Sequence, residues 1–168
     1  MRTLHLLTFP LFVFLSAALI AVAYPEPQQS VNRADHNRQG LQYYDEAFYK
    51  QLPQGKQREA DEFFKLAMAE FQQAIAANPE DASAYRNLAR LHYVRKDFLQ
   101  AAGAYRTVTT LEPQDIDAFV LLALSYTRIE RFAEAIQALE AAKNQTDDPE
   151  VIGKLDGYIR KIVDHNEE

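Results

Sequence analysis

The chain has 168 residues, 48% of them hydrophobic and 25% charged, with a formal net charge of −6 and no cysteine. The absence of cysteine excludes disulfides, a lipoprotein anchor, thiolate catalysis, c-type haem attachment and cysteine-based zinc sites. The acidic balance argues against nucleic acid or anionic lipid as the principal partner.

Residues 1–23 differ in kind from the rest. Arg2 supplies a positive start, Leu6 to Ile20 is almost entirely apolar, and Ala21-Val22-Ala23 has the small-x-small form of a peptidase site. A signal peptide over 1–23 is expected, with cleavage before Tyr24 and a secreted, periplasmic product. The competing reading is an uncleaved inner-membrane anchor. Leu4 to Ala23 is 20 residues, just enough to span a bilayer, although His5, Pro10 and Ser16 weaken it. Residues 24–37 are polar and begin with two prolines, Pro25 and Pro27, so they read as a flexible linker.

Ordered structure is expected over residues 38–165. A first helix over 38–52 carries Leu41, Tyr44, Phe48 and Leu52, with Tyr43 and Ala47 beside them. Leu52-Pro53-Gln54-Gly55 breaks it, and a second helix starts near Lys56. Its acidic start at Glu59, Asp61 and Glu62 suits a helix dipole, and its apolar face is Phe64, Ala67, Phe71 and Ala74, before Pro79.

Residues 82–115 form the next unit. Tyr85, Leu88, Ala89 and His92 share one helical face, Arg95-Lys96-Asp97 makes a polar break, and Phe98, Ala101, Tyr105 and Val108 share a second face. Pro113 stops that helix. Residues 116–148 repeat the arithmetic with Phe119, Leu122, Ala123 and Tyr126, a turn at Ile129-Glu130-Arg131, then Phe132, Ala135, Leu139 and Ala142. A last helix over 149–165 opens on Asp148-Pro149-Glu150, a cap, a proline at the first helical position and an acid in the first turn. Its stripe of Val151, Leu155, Tyr158, Ile159 and Ile162 would cover the open end. Gly153 and Gly157 reflect either close packing there or drift.

The units are in step. Ala67, Ala101 and Ala135 stand 34 residues apart, and Phe64, Phe98 and Phe132 keep the same spacing. A fixed period of that length marks a stacked helical repeat. The pattern resembles the tetratricopeptide repeat, W-x2-L-G-x2-Y, then A-x3-F, then P. Tyr85 and Phe119 take the Trp position, Ala89 and Ala123 the Gly, and His92 and Tyr126 the Tyr. Asp147 stands where the proline of the last repeat belongs, with Pro149 two residues late. The resemblance implies an all-α, right-handed α-solenoid of antiparallel helix pairs. It would have about three repeats, 38–81 with an insertion, 82–115 and 116–148, and a C-terminal capping helix.

The resemblance also implies a surface for another protein rather than an enzyme. The histidines beyond residue 23 are His36, His92 and His165, with no pair at i, i+4, and the five glycines never form a phosphate loop. No catalytic residue, cofactor, metal or small-molecule substrate is expected. A weaker alternative is an enzyme using carboxylates of the first, inserted repeat. In the family the first helix of each repeat lines a concave groove. The corresponding stripe is Ser83, Arg86, Arg90, Tyr93 and Val94, then Asp117, Val120, Leu124, Thr127 and Arg128.

Some family members clamp a peptide's C-terminal carboxylate there, and Arg86 and Arg90 match the paired basic residues of one clamp repeat. The asparagines of the other clamp repeats are absent, and Val120 and Leu124 take the equivalent places in the next repeat. A basic spot beside an apolar one suits an acidic-apolar peptide, with Arg86 and Arg90 reaching one carboxylate together. The plainer reading of both arginines is a solvated helix face. Tyr43, Tyr44 and Tyr49 are a second candidate surface. The expected function is a non-enzymatic envelope adaptor or scaffold holding a peptide or helix of a partner. The alternative is a membrane-anchored structural or assembly subunit of a larger envelope complex.

Overall fold

The computed structural model describes residues 27–166, so the signal or anchor segment 1–23 lies outside the described residues. Seven α-helices follow one another: α1 (Pro27–Asp45), α2 (Gln57–Ala77), α3 (Ala82–Val94), α4 (Phe98–Leu111), α5 (Ile116–Thr127), α6 (Phe132–Lys143) and α7 (Pro149–Asn166). Each packs on the next in sequence, giving three helix pairs and a terminal helix. No strand occurs among the described residues.

The period of the sequence becomes the core. Ala67, Ala101 and Ala135 are fully buried, as are Phe71, Tyr105 and Leu139 at the next repeat position. Small residues let the axes approach while the rings and branched chains fill the spaces between. One cluster joins α1 and α2 to Leu91 of α3; the other runs from Ala89 to Ile162 of α7. Leu91 lies off the stripe drawn from the sequence, yet it is fully buried, because α3 packs against α2 as well as α4. Ser125 is its counterpart one repeat later, also buried, and its hydroxyl donates to the carbonyl of Leu121 at 2.7 Å.

Local signals repeat too. Asp81 caps α3 by accepting from the N–H of Ser83 and Ala84, and Asp115 caps α5 by accepting from Ala118. At the turns within pairs, Asp97 N–H donates to the carbonyl of His92 at 2.8 Å and Arg131 N–H to that of Tyr126 at 2.9 Å. These close six-residue loops around a left-handed residue, Lys96 (φ 66°) in one and Glu130 (φ 59°) in the other. Asp148 accepts from Glu150 N–H at the start of α7.

Two sequence expectations need correction, and one open alternative is resolved. Residues 27–37 are not a linker, since α1 runs unbroken from Pro27. Proline is tolerated at a first helical position, and the inner end of the stretch makes tertiary bonds. His36 Nδ1 lies 2.6 Å from Glu70 of α2, and Asn37 donates to Ser83 Oγ of α3 at 2.6 Å.

The first helix also does not stay α-helical to residue 52. Glu46–Gln51 is a π-helical turn and Leu52–Gln54 a 3-10 turn, ending on Gly55 at φ 71°. Pro53 has no N–H, and its ring conflicts with the carbonyl four residues back, so the ladder must rearrange before it. Finally, Gly153 and Gly157 are not close-packing positions: a Cβ on either would meet nothing within 4 Å.

Candidate functional site

Contacts between odd-numbered helices define one side of the solenoid. Asn37 of α1 meets Ser83 and also accepts from Asn87 Nδ2 of α3 at 2.9 Å. Tyr93 at the end of α3 accepts from Arg128 Nε at the end of α5 at 3.1 Å. Val120, Leu124 and Thr127 of α5 share a cavity with Tyr158, Lys161 and Ile162 of α7. The groove stripe read from the sequence therefore lies along α3 and α5, between α1 and α7.

Its members have distinct fates. Arg86 bonds to Asp115 Oδ2 at 2.6 Å and to a carboxylate oxygen of Glu112. Burial pulls its pKa down, but hydrogen bonds to Asp115 and Glu112 outweigh that and hold it above the ordinary arginine value. A half-buried guanidinium with two carboxylates of its own chain ties α3 to the connection before α5. Arg86 and Arg90 thus do not form the joint ligand clamp expected of them. Arg90 instead lies over the ring of Tyr44, 5.5 Å from its centroid. It has no carboxylate partner among the described residues.

Tyr93 sets its ring edge against Phe98 at 5.1 Å, and the Arg128 guanidinium lies 5.9 Å from the centroid of the same Phe98 ring. Arg128 also lacks a carboxylate partner among the described residues. Val94 turns out to pack on the α1–α2 core cluster rather than serve the groove, because the last turn of α3 already faces the preceding pair. Asp117 is exposed in the first turn of α5, where the dipole favours an acid. Thr127 donates its hydroxyl to the Ala123 carbonyl at 2.9 Å.

The cavity beside Val120, Leu124 and Thr127 has a volume of about 280 Å³; Leu139, Tyr158, Lys161 and Ile162 complete its lining. Tyr158 and Lys161 are absent from the sequence-derived stripe because α7 reads there only as an end cover. A second, open and polar cavity of about 570 Å³ lies against α1 and α2, lined by Asp35, His36, Arg38, Gln39, Gln42 and Glu70. Among the described residues no group of three His, Cys, Asp or Glu side chains could hold a metal ion. The tyrosines of the first repeat divide: Tyr44 is buried, Tyr43 packs on the Phe63 ring at 6.3 Å, and Tyr49 stays 62% exposed.

The family model described as "Anaphase-promoting complex, cyclosome, subunit 3" matches residues 57–142, just over half of the chain. The BBSome complex member BBS4 homolog of Drosophila melanogaster is 29% identical over 99 residues, which cover 58% of this chain and 20% of that protein. The chain thus spans well under two thirds of that relative's length.

Among solved structures, the yeast Sti1 TPR2B domain, in a complex with pHsp70, matches with a TM-score of 0.60 at 17% identity, covering 80% of this chain and 98% of that one. The second such domain of human RPAP3, solved with the HSP70 peptide SGPTIEEVD, matches with a TM-score of 0.54 at 16% identity, covering 80% and 95%. At these identities the likeness is one of fold: an all-α repeat solenoid.

Proposed function

From the premise that the chain belongs to the tetratricopeptide-type family described as anaphase-promoting complex, cyclosome, subunit 3, we propose that it is a non-enzymatic adaptor holding an acidic-apolar segment of a partner protein along α3, α5 and α7. The observation that carries this reading is the juxtaposition on one side of the solenoid. Arg90 and Arg128 lack carboxylate partners among the described residues, and an apolar cavity opens between α5 and α7. The complexes of the Sti1 domain with pHsp70 and of the RPAP3 domain with an HSP70 peptide are consistent with this use of the fold. The whole chain is acidic, so a local excess of cations favours a negatively charged partner at that place.

The proposed compartment is the cell envelope, reached through residues 1–23 as a cleaved signal. The alternative keeps 4–23 as an anchor and makes the chain a subunit of a membrane complex. Sequencing the N-terminus of the exported protein decides between them: a start at Tyr24 supports the first, a start at Met1 the second.

The binding reading is tested with Arg90→Glu combined with Arg128→Glu. Tagged wild-type protein and the double variant are used to capture partners from envelope extract, with mass spectrometry as readout. Loss of a partner held by the wild type, at unchanged helical circular dichroism, is the expected result. Identical capture by both proteins would remove this face from consideration.

A further inference from the structure

The cavity between α5 and α7 is apolar within and charged at one point. Leu139 and Ile162, both buried, lie in its lining; Val120, Leu124 and Thr127 come from α5, Tyr158 and Lys161 from α7. Leu124 is 38% and Tyr158 43% exposed, so the folded chain leaves large apolar groups wet at this place. Lys161 is the only charged residue of the lining. Of the other cations at this end of the molecule, Lys143 pairs with Glu140 and Asp156 and Lys154 with Glu150, while Arg160, outside the cavity lining, forms no ion pair among the described residues. Lys161 forms no ion pair among the described residues.

We infer that this cavity receives one large aliphatic or aromatic side chain of a partner protein segment, while a carboxylate of the same segment sits on Lys161. Helix α7 is then part of the binding face and not only an end cover. The inference rests on the groove reading above and adds to it the anchor residue and its flanking charge. A small polar ligand would need several converging polar groups to orient it, and the lining offers a single ammonium besides the Tyr158 phenol and a Thr127 hydroxyl already bonded to Ala123. A chain segment supplies orientation through its length. Thr127 adjoins Arg128, so a segment leaving the cavity meets a second cation without a carboxylate partner among the described residues.

The test uses a displayed random-peptide library selected on the purified full-length protein. Selected peptides are then resynthesised and titrated against wild type, Lys161→Glu, Leu124→Glu and Arg90→Glu/Arg128→Glu, each checked by circular dichroism. The expected consensus is one large apolar residue next to Asp or Glu. Lys161→Glu and Leu124→Glu should each weaken binding roughly tenfold or more, as for an anchor contact. Replacing the peptide's acidic residue with its amide should cancel most of the Lys161→Glu loss.

Binding that survives both cavity variants but falls with the double arginine variant overturns this inference and leaves the groove reading standing. Binding indifferent to all three variants overturns both, and so does a library that yields no enriched sequence.

Discussion

A Cβ placed on Gly40 would lie 2.5 Å from the Phe71 ring of α2. The residue therefore sets how closely α1 approaches α2, and no stripe of apolar residues announces it. Gly40→Ala should destabilise the chain by about 1–3 kcal/mol through overpacking. Gly103 is exposed in α4, and a Cβ added there would meet nothing within 4 Å, so it has no such duty. Gly103→Ala should gain about 0.5–1 kcal/mol from helix propensity. Opposite shifts of the urea midpoint are the expected result; equal shifts would deny the contact.

His92 occupies a family-type position, and burial holds its pKa below the ordinary 6.5 against the pull of Asp97 3.6 Å away. Arg95, also packed beside Asp97, adds to the lowering. With the folded value depressed, the unfolded chain takes up the proton first. The neutral imidazole's contribution is present above about pH 6.5 and is lost as pH falls through the folded value. Wild type should therefore lose more stability than His92→Gln between about pH 7.5 and about pH 5. Thermal melts at both ends check this, and parallel losses would contradict it.

Elements were legible in the sequence where their causes are local. The polar breaks at 95–97 and 129–131 predict the turns, and both turns close in the same way around a left-handed residue. Lys96 and Glu130 each hold a conformation that a side chain disfavours by roughly 1–2 kcal/mol. Glycine removes that strain but brings a more mobile unfolded chain, so Lys96→Gly and Glu130→Gly should each gain about 0.5–1 kcal/mol. Denaturant melts that move down for both would show the side chains to be needed there.

Elements whose causes are distant were not legible. At the inner end of the stretch 27–37, His36 meets Glu70 and Asn37 meets Ser83 and Asn87, 34 to 50 positions away. The compensation of Arg86 depends on Glu112 and Asp115, 26 and 29 positions on. Periodicity places a residue on a face but does not say which carboxylate another repeat will bring to it. The same limit hid Tyr158 and Lys161, which join the candidate face because α7, packed on α6, lines the same cavity as α5 and Leu139.

At the scale of the molecule, a solenoid has two ends and each must be closed. At the C-terminal end Leu155 and Ile162 of α7 are buried against the last repeat, in one cluster with Ala135, Ala138, Leu139 and Ala142. Burying two such side chains is worth about 1.5–3 kcal/mol each, a large share of the stability of a small domain. Deleting residues 149–168 would remove that burial and leave the α6 surface open, and an apolar flank of that kind associates. The truncated chain should melt lower and scatter light as oligomers. Lys161→Glu touches the same helix but none of its buried residues, so it should keep the oligomeric state and melting temperature of the wild type. That pair of results separates the two duties of α7: the buried side closes the repeat, and the exposed edge is free to meet a partner. A monodisperse truncation as stable as the full chain would show that the last repeat closes itself.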